Sequence, residues 1–153
     1  MRTIQKDVVG ALIFSQEGKM FQGLKGPNHG GDIYPGCWHI PGGGLELGED
    51  LLQGLAREIQ EEIGIDISPY KVTLLDDEGR GKGEKTLKET GERVIQEMKF
   101  HVYRIDIDKP AAEIPIVLAD NEFVEYQWTD LKDLKNVQVT PPSVVLFKKL
   151  GYI

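Results

Sequence analysis

Glu58, Glu61 and Glu62 stand at i, i+3 and i+4, the spacing that places three carboxylates on one face of a helix. Like charges that close destabilise a bare helix, so the pattern calls for a positive group above them. Donors that are all oxygen favour a hard cation such as Mg²⁺ or Mn²⁺. Arg57 adjoins Glu58 and lies at i, i+4 from Glu61, which reads as an orienting partner for the carboxylates. A metal cradle and a catalytic base both need carboxylates held rigidly, and a packed helix supplies that rigidity.

The helix that must hold them has marked ends. Asp50 is a good N-cap and Gln53 follows at the capping-box spacing. Leu52, Leu55, Ile59 and Ile63 follow a 3.6-residue period and predict the buried face. Gly54 and Ala56 are small enough for close packing, and Gly64 suits the C′ position where φ is positive. The aliphatic residues anchor the helix and leave the glutamates for chemistry.

Around this helix the sequence reads as strands. Val8 to Phe14 and Lys19 to Leu24 form a hairpin around the turn at Ser15–Gly18. Lys25 to Gly36 is loop, and Trp38 to Ile40 a short strand. Tyr70 to Leu75 and Arg93 to Ile107 are strands, joined by a polar, glycine-containing segment, 76–91, that reads as a mobile loop. Tyr126 to Trp128 is another strand, and a helix starts at Pro141 or Pro142. Strands flanking a helix imply an α/β fold, with a mixed sheet and helices packed on it, in one domain over 1–153.

The chain is 40% hydrophobic and 28% charged, ordinary for a globular protein. Its net charge of -7 argues against a general nucleic-acid-binding surface, which is usually basic. Cys37 is the one cysteine, so no intrachain disulfide forms, and beside Trp38 it reads as a buried thiol. Neither a signal peptide nor a membrane span is legible, which predicts a cytoplasmic protein with no membrane partner. Monomer and homodimer both fit the sequence.

The segment Gly43 to Ile65 reads Gly-x5-Glu-x7-Arg-Glu-Ile-x-Glu-Glu-Ile-Gly-Ile, entered through Trp38-His39-Ile40-Pro41-Gly42-Gly43-Gly44-Leu45-Glu46. This pattern resembles the Nudix hydrolase family. The resemblance implies an α/β/α sandwich and Mg²⁺- or Mn²⁺-assisted hydrolysis of a diphosphate linkage in a nucleotide. It implies Glu58, Glu61 and Glu62 as metal ligands, helped by Glu46 or Glu49 and by the backbone carbonyl of Gly43. It leaves the base open among Glu58, Glu61 and a loop acid, for which Glu122 leads and Asp120 is second.

Motifs of the ADP-ribose, dinucleoside polyphosphate, NADH and coenzyme A branches are missing. By resemblance the default is then a MutT-like nucleoside triphosphate pyrophosphatase, with a nucleotide-sugar hydrolase as runner-up. A non-catalytic nucleotide sensor is the alternative of another class, and the intact acidic set speaks against it. Lys25 is the candidate phosphate clamp. Trp38, Tyr34 and Phe21 are candidate stacking aromatics, with Trp38 and Phe21 equally suited to the core. Ser143 falls where MutT proteins carry a base-reading asparagine. His29 and His39 read as polar loop and strand residues.

Overall fold

The computed structural model describes residues 1–26, 34, 36–119 and 122–153. Its strands are β1 (Arg2–Phe14), β2 (Met20–Lys25), β3 (Trp38–His39), β4 (Gly42–Gly44), β5 (Lys71–Thr86), β6 (Arg93–Asp106) and β7 (Phe123–Thr129). Its α-helices are α1 (Leu51–Ile63) and α2 (Pro141–Lys149).

Alternation along β1 sends Val9, Ala11 and Ile13 to one side and Leu12 and Phe14 to the other, all essentially fully buried. The first set packs with Leu55, Ile59 and Ile63 of α1. The second packs with Leu146 and Phe147 of α2. The two helices therefore cover opposite faces of the sheet, the expected α/β/α sandwich. Burying each of the three α1 side chains is worth about 1.5–3 kcal/mol.

β1 runs parallel to β6 from Arg2↔Val94 to Phe14↔Asp106, and β5 is antiparallel to β6 at the sheet edge. On its other side β1 pairs antiparallel with β4, Val8↔Gly44 to Gly10↔Gly42, and meets β2 at Phe14↔Met20. β2 carries β3 and β7. One parallel pair among antiparallel ones makes the sheet mixed, as the sequence predicts.

Three expectations need correction. β1 starts at Arg2, because its polar first half pairs with β6 although it lies largely outside the core. Residues 76–86 are strand: β5 continues through them, with irregularities between Leu74 and Gly79. Phe100 and Met98 lie across its glycines, and a Cβ at Gly81 would fall 2.9 Å from Phe100 Cε2. A two-stranded ribbon with polar residues on one face and glycines on the other has no apolar alternation to read. Leu52 is 53% exposed in the first turn of α1, where Leu51 instead packs against the core.

Candidate active site

Helix α1 is fixed at both ends by backbone chemistry. Asp50 Oδ1 accepts from the Gln53 N–H at 2.8 Å, and Gln53 Oε1 accepts from the Asp50 N–H at 3.0 Å. Gly64 closes the helix at φ 73°, a left-handed conformation that a Cβ disfavours. At Gly54 a Cβ would meet Leu45 Cδ2 at 2.1 Å, so the entry loop packs directly on the helix.

Glu62 follows Ile59 on the buried side of α1 and is 3% exposed. Its Oε1 accepts from the backbone N–H of Gly42 at 2.7 Å. Burial pushes its carboxyl well above the usual carboxylate range; the Gly42 N–H opposes this, Glu58 and Glu122 add to it, and Lys25 opposes it. Glu58, one turn earlier, lies flat against the main chain of Gly43, where a Cβ would fall 2.6 Å from three of its carboxylate atoms. Burial raises the Glu58 carboxyl, Arg57 counteracts it, and Glu61 and Glu122 raise it further.

Arg57 ties the loop to the helix. Its Nε and Nη2 donate to Glu49 Oε2 and Oε1 at 2.7 and 2.8 Å, a bidentate fork. Nη2 also donates to the Gly44 carbonyl at 3.1 Å, and Nη1 to Glu58 Oε1 at 3.0 Å and Glu61 Oε2 at 3.2 Å. The fork holds the Glu49 carboxyl down at about 2. Glu49 also accepts from the Glu46 N–H at 2.7 Å. Both oxygens of Glu49, an expected helper ligand, accept from Arg57 in this structure.

The fourth acid arrives from outside the helix. The Val117 and Ala119 N–H groups donate to the carbonyls of Ile63 and Glu62 at 3.0 and 3.1 Å, which moors this segment to the end of α1. Glu122 follows, directly before β7, and its charge acts on both Glu58 and Glu62. Lys25 pairs with Phe123 across a bulge in β2, and its charge reaches Glu62. Glu58 and Glu62 thus meet Gly43 and Gly42, while the charge of Glu122 reaches both acids and that of Lys25 reaches Glu62.

A profile of the Nudix domain matches residues 5–150. The chain belongs to the Nudix family. As a Nudix hydrolase it acts on phosphoric anhydride bonds. It is 29% identical over 121 residues to the nucleoside triphosphatase NudI of Klebsiella pneumoniae, covering 79% of this chain and 81% of that one. A 60-residue stretch is 38% identical to the RNA pyrophosphohydrolase of Gluconacetobacter diazotrophicus, spanning 38% of this chain and only 36% of that protein. The fold is that of the MutT protein from Methanosarcina mazei, with a TM-score of 0.67, 22% identity, and 99% and 96% of the two chains covered.

Members of this family use divalent metal ions, and the residues of this Nudix hydrolase fit a hard one by chemistry. The donors are carboxylate and carbonyl oxygens, the buried Glu62 carboxyl is costly to ionise without a cation, and only a glycine at 43 leaves room for Glu58. Among the described residues no three such side chains form a ready-made metal-holding group. Glu58 and Glu61 turn oxygens to Arg57, and Glu62 turns one to Gly42.

The remaining expected residues fall elsewhere. Phe21 is fully buried in the Nudix core, stacked on Tyr126 at 5.7 Å, the core alternative of its two readings. Trp38 is half-buried; its N–H donates to the Gln138 carbonyl at 2.8 Å, which holds β3 to the entry of α2. Ser143, the expected base-reading hydroxyl, is 5% exposed; its Oγ accepts from Thr140 Oγ1 at 3.1 Å, and Thr140 caps α2 by accepting from the Ser143 N–H. His29 and Asp120 lie outside the described residues. Sequence reasoning missed the Gly42 N–H on Glu62, and Lys6, whose Nζ donates to the Leu45 carbonyl at 2.6 Å. Backbone partners that depend on strand pairing leave no mark in side-chain spacing. Among the described residues no helix is long and apolar enough to cross a membrane.

Proposed function

We propose that this chain hydrolyses a nucleoside triphosphate to the monophosphate and pyrophosphate with Mg²⁺, or Mn²⁺ in its place. The observation that carries the reading is Glu58 against Gly43 beside the buried Glu62 on the Gly42 N–H, with the charge of Glu122 acting on both acids. The likeness to a nucleoside triphosphatase over most of both chains supports the substrate class.

In this reading Glu58, Glu61, Glu62 and the Gly43 carbonyl would hold the cation. When bound, the cation neutralises diphosphate charge and makes water more acidic. Arg57 keeps Glu58 and Glu61 oriented. Glu122 takes the proton of the attacking water. The bridge between the α and β phosphorus breaks: the water oxygen ends on one product and the bridging oxygen on the other. Lys25 offers its ammonium to a phosphate. Positioning and charge complementarity carry most of the rate in such transfers.

The test is Glu122→Gln, assayed for turnover and, without substrate, for Mn²⁺ binding. Loss of a general base lowers kcat by about 10²–10⁴-fold. Mn²⁺ affinity stays near that of the wild type. Unchanged turnover contradicts the role.

A second reading rests on the RNA pyrophosphohydrolase relative: the triphosphate would be the 5′ end of an RNA. The net charge of -7 disfavours a long anionic partner. Turnover of a 5′-triphosphate RNA in preference to free nucleotides decides for it.

A further inference from the structure

Strand β1 delivers a second cation to the loop that precedes α1. Lys6 Nζ donates to the Leu45 carbonyl at 2.6 Å, and the Leu45 N–H donates to the Asp7 carbonyl at 3.0 Å. Neighbouring β1 residues therefore hold both backbone groups of Leu45. The stem of Lys6 crosses Gly44 so closely that a Cβ there would fall 2.3 Å from its Cε. The carbonyl one residue earlier, that of Gly44, accepts from Arg57 at 3.1 Å. Two cations, one from the strand and one from the helix, thus grip consecutive carbonyls of one loop.

What lies on either side of this grip gives it a purpose. Immediately before it, Gly43 carries the carboxylate of Glu58 against its main chain. Immediately after it, the Glu46 N–H binds Glu49, which is itself forked to Arg57. The Lys6 charge reaches Glu49 as well. An ordinary strand lysine extends into solvent and would need neither a glycine under its stem nor a carbonyl at its tip.

We propose that Lys6 is a positioning residue for the reaction: it clamps the 43–46 turn against β1 and so fixes Gly43 relative to Glu58 and Glu62. The proposal rests on the metal-binding part of the functional reading. It makes Gly44 a steric requirement of Lys6, separate from the role of Gly43.

The experiment compares Lys6→Met, which keeps the stem and removes the donor, with Lys6→Arg, which restores one. Each is measured for Mn²⁺ affinity by electron spin resonance without substrate, for kcat and KM on a nucleoside triphosphate, and for Tm without metal. Loss of a residue that orients metal ligands predicts about tenfold weaker Mn²⁺ binding and a similar fall in kcat for Lys6→Met. KM stays level, and Lys6→Arg recovers most of both losses. Gly44→Ala, which displaces the Lys6 stem, shifts Mn²⁺ affinity the same way and serves if Lys6→Met does not fold. Wild-type Mn²⁺ affinity and kcat in Lys6→Met overturn the proposal. A wild type that binds Mn²⁺ but turns over no triphosphate overturns only the substrate reading, and one that binds no Mn²⁺ overturns both.

Discussion

The carboxylate of Glu58 lies flat against the Cα of Gly43, so close that a Cβ at position 43 would stand 2.6 Å from it. A helix acid and a loop backbone thereby form one surface. Arg57 stitches the same two elements together through Glu49 and the Gly44 carbonyl. The account of the site is an account of how this contact is kept.

Glu62→Gln separates ligand chemistry from packing. The amide oxygen still accepts from the Gly42 N–H, so the helix keeps its contact. Turnover falls by more than about 100-fold, beyond what loss of an outer partner of a metal costs. The folded-state carboxyl is raised above 4.5, so its contribution to stability is full at low pH and is lost as pH rises through the folded value. Metal-free Glu62→Gln therefore melts higher than the metal-free wild type at neutral pH, and the gap closes towards pH 4.5. Thermal scans from acid to neutral pH check the sign.

Arg57→Lys keeps a positive charge and removes the fork on Glu49. Activity falls by about 10–100-fold, as for other partners that orient metal ligands. Steady-state kinetics against metal concentration check it: the variant needs more Mg²⁺ for half-maximal rate.

Glu49 titrates in the opposite sense to Glu62. Its carboxyl is lowered from 4.5 to about 2, so its stabilising contribution is full above pH 4.5 and is lost as pH falls towards 2. Glu49→Gln removes that slope. Acid unfolding followed by circular dichroism between these limits shows a shallower loss for the variant than for the wild type.

How far the sequence went depended on the kind of interaction. The limits of α1, its caps and its aliphatic stripe were legible, because a helix writes its partners at fixed spacings along one segment. Leu52 shows the limit of that reasoning: in the first turn the core contact falls to Leu51, one position earlier. The β5–β6 ribbon was illegible beyond Leu75, since its register is set by a partner strand and not by alternation. Glu122 was legible only through resemblance, while its tie to Glu62 runs through the Ala119 N–H and the helix carbonyl, which no side-chain pattern records. The bond between Thr140 and Ser143 was not legible, because an aligned position says nothing of which way a hydroxyl points.

The ribbon carries its own prediction. Gly81→Val drives a side chain into Phe100, which approaches to 2.9 Å of the Cβ position, and costs about 1–3 kcal/mol. Gly83→Val meets nothing within 4 Å and places a β-former in a strand, so its Tm stays level or rises. Equal effects of the two substitutions on Tm would indicate a loop at 79–86.

The most direct test of the central claim is a product-resolved assay with Mg²⁺ across canonical nucleoside triphosphates, nucleotide sugars and a 5′-triphosphate RNA. Phosphorus resonance distinguishes the products. The account predicts monophosphate and pyrophosphate in equal amounts from a free triphosphate, abolished in Glu62→Gln. Release of diphosphate and orthophosphate, turnover of a sugar nucleotide alone, or undiminished turnover in Glu62→Gln would contradict it.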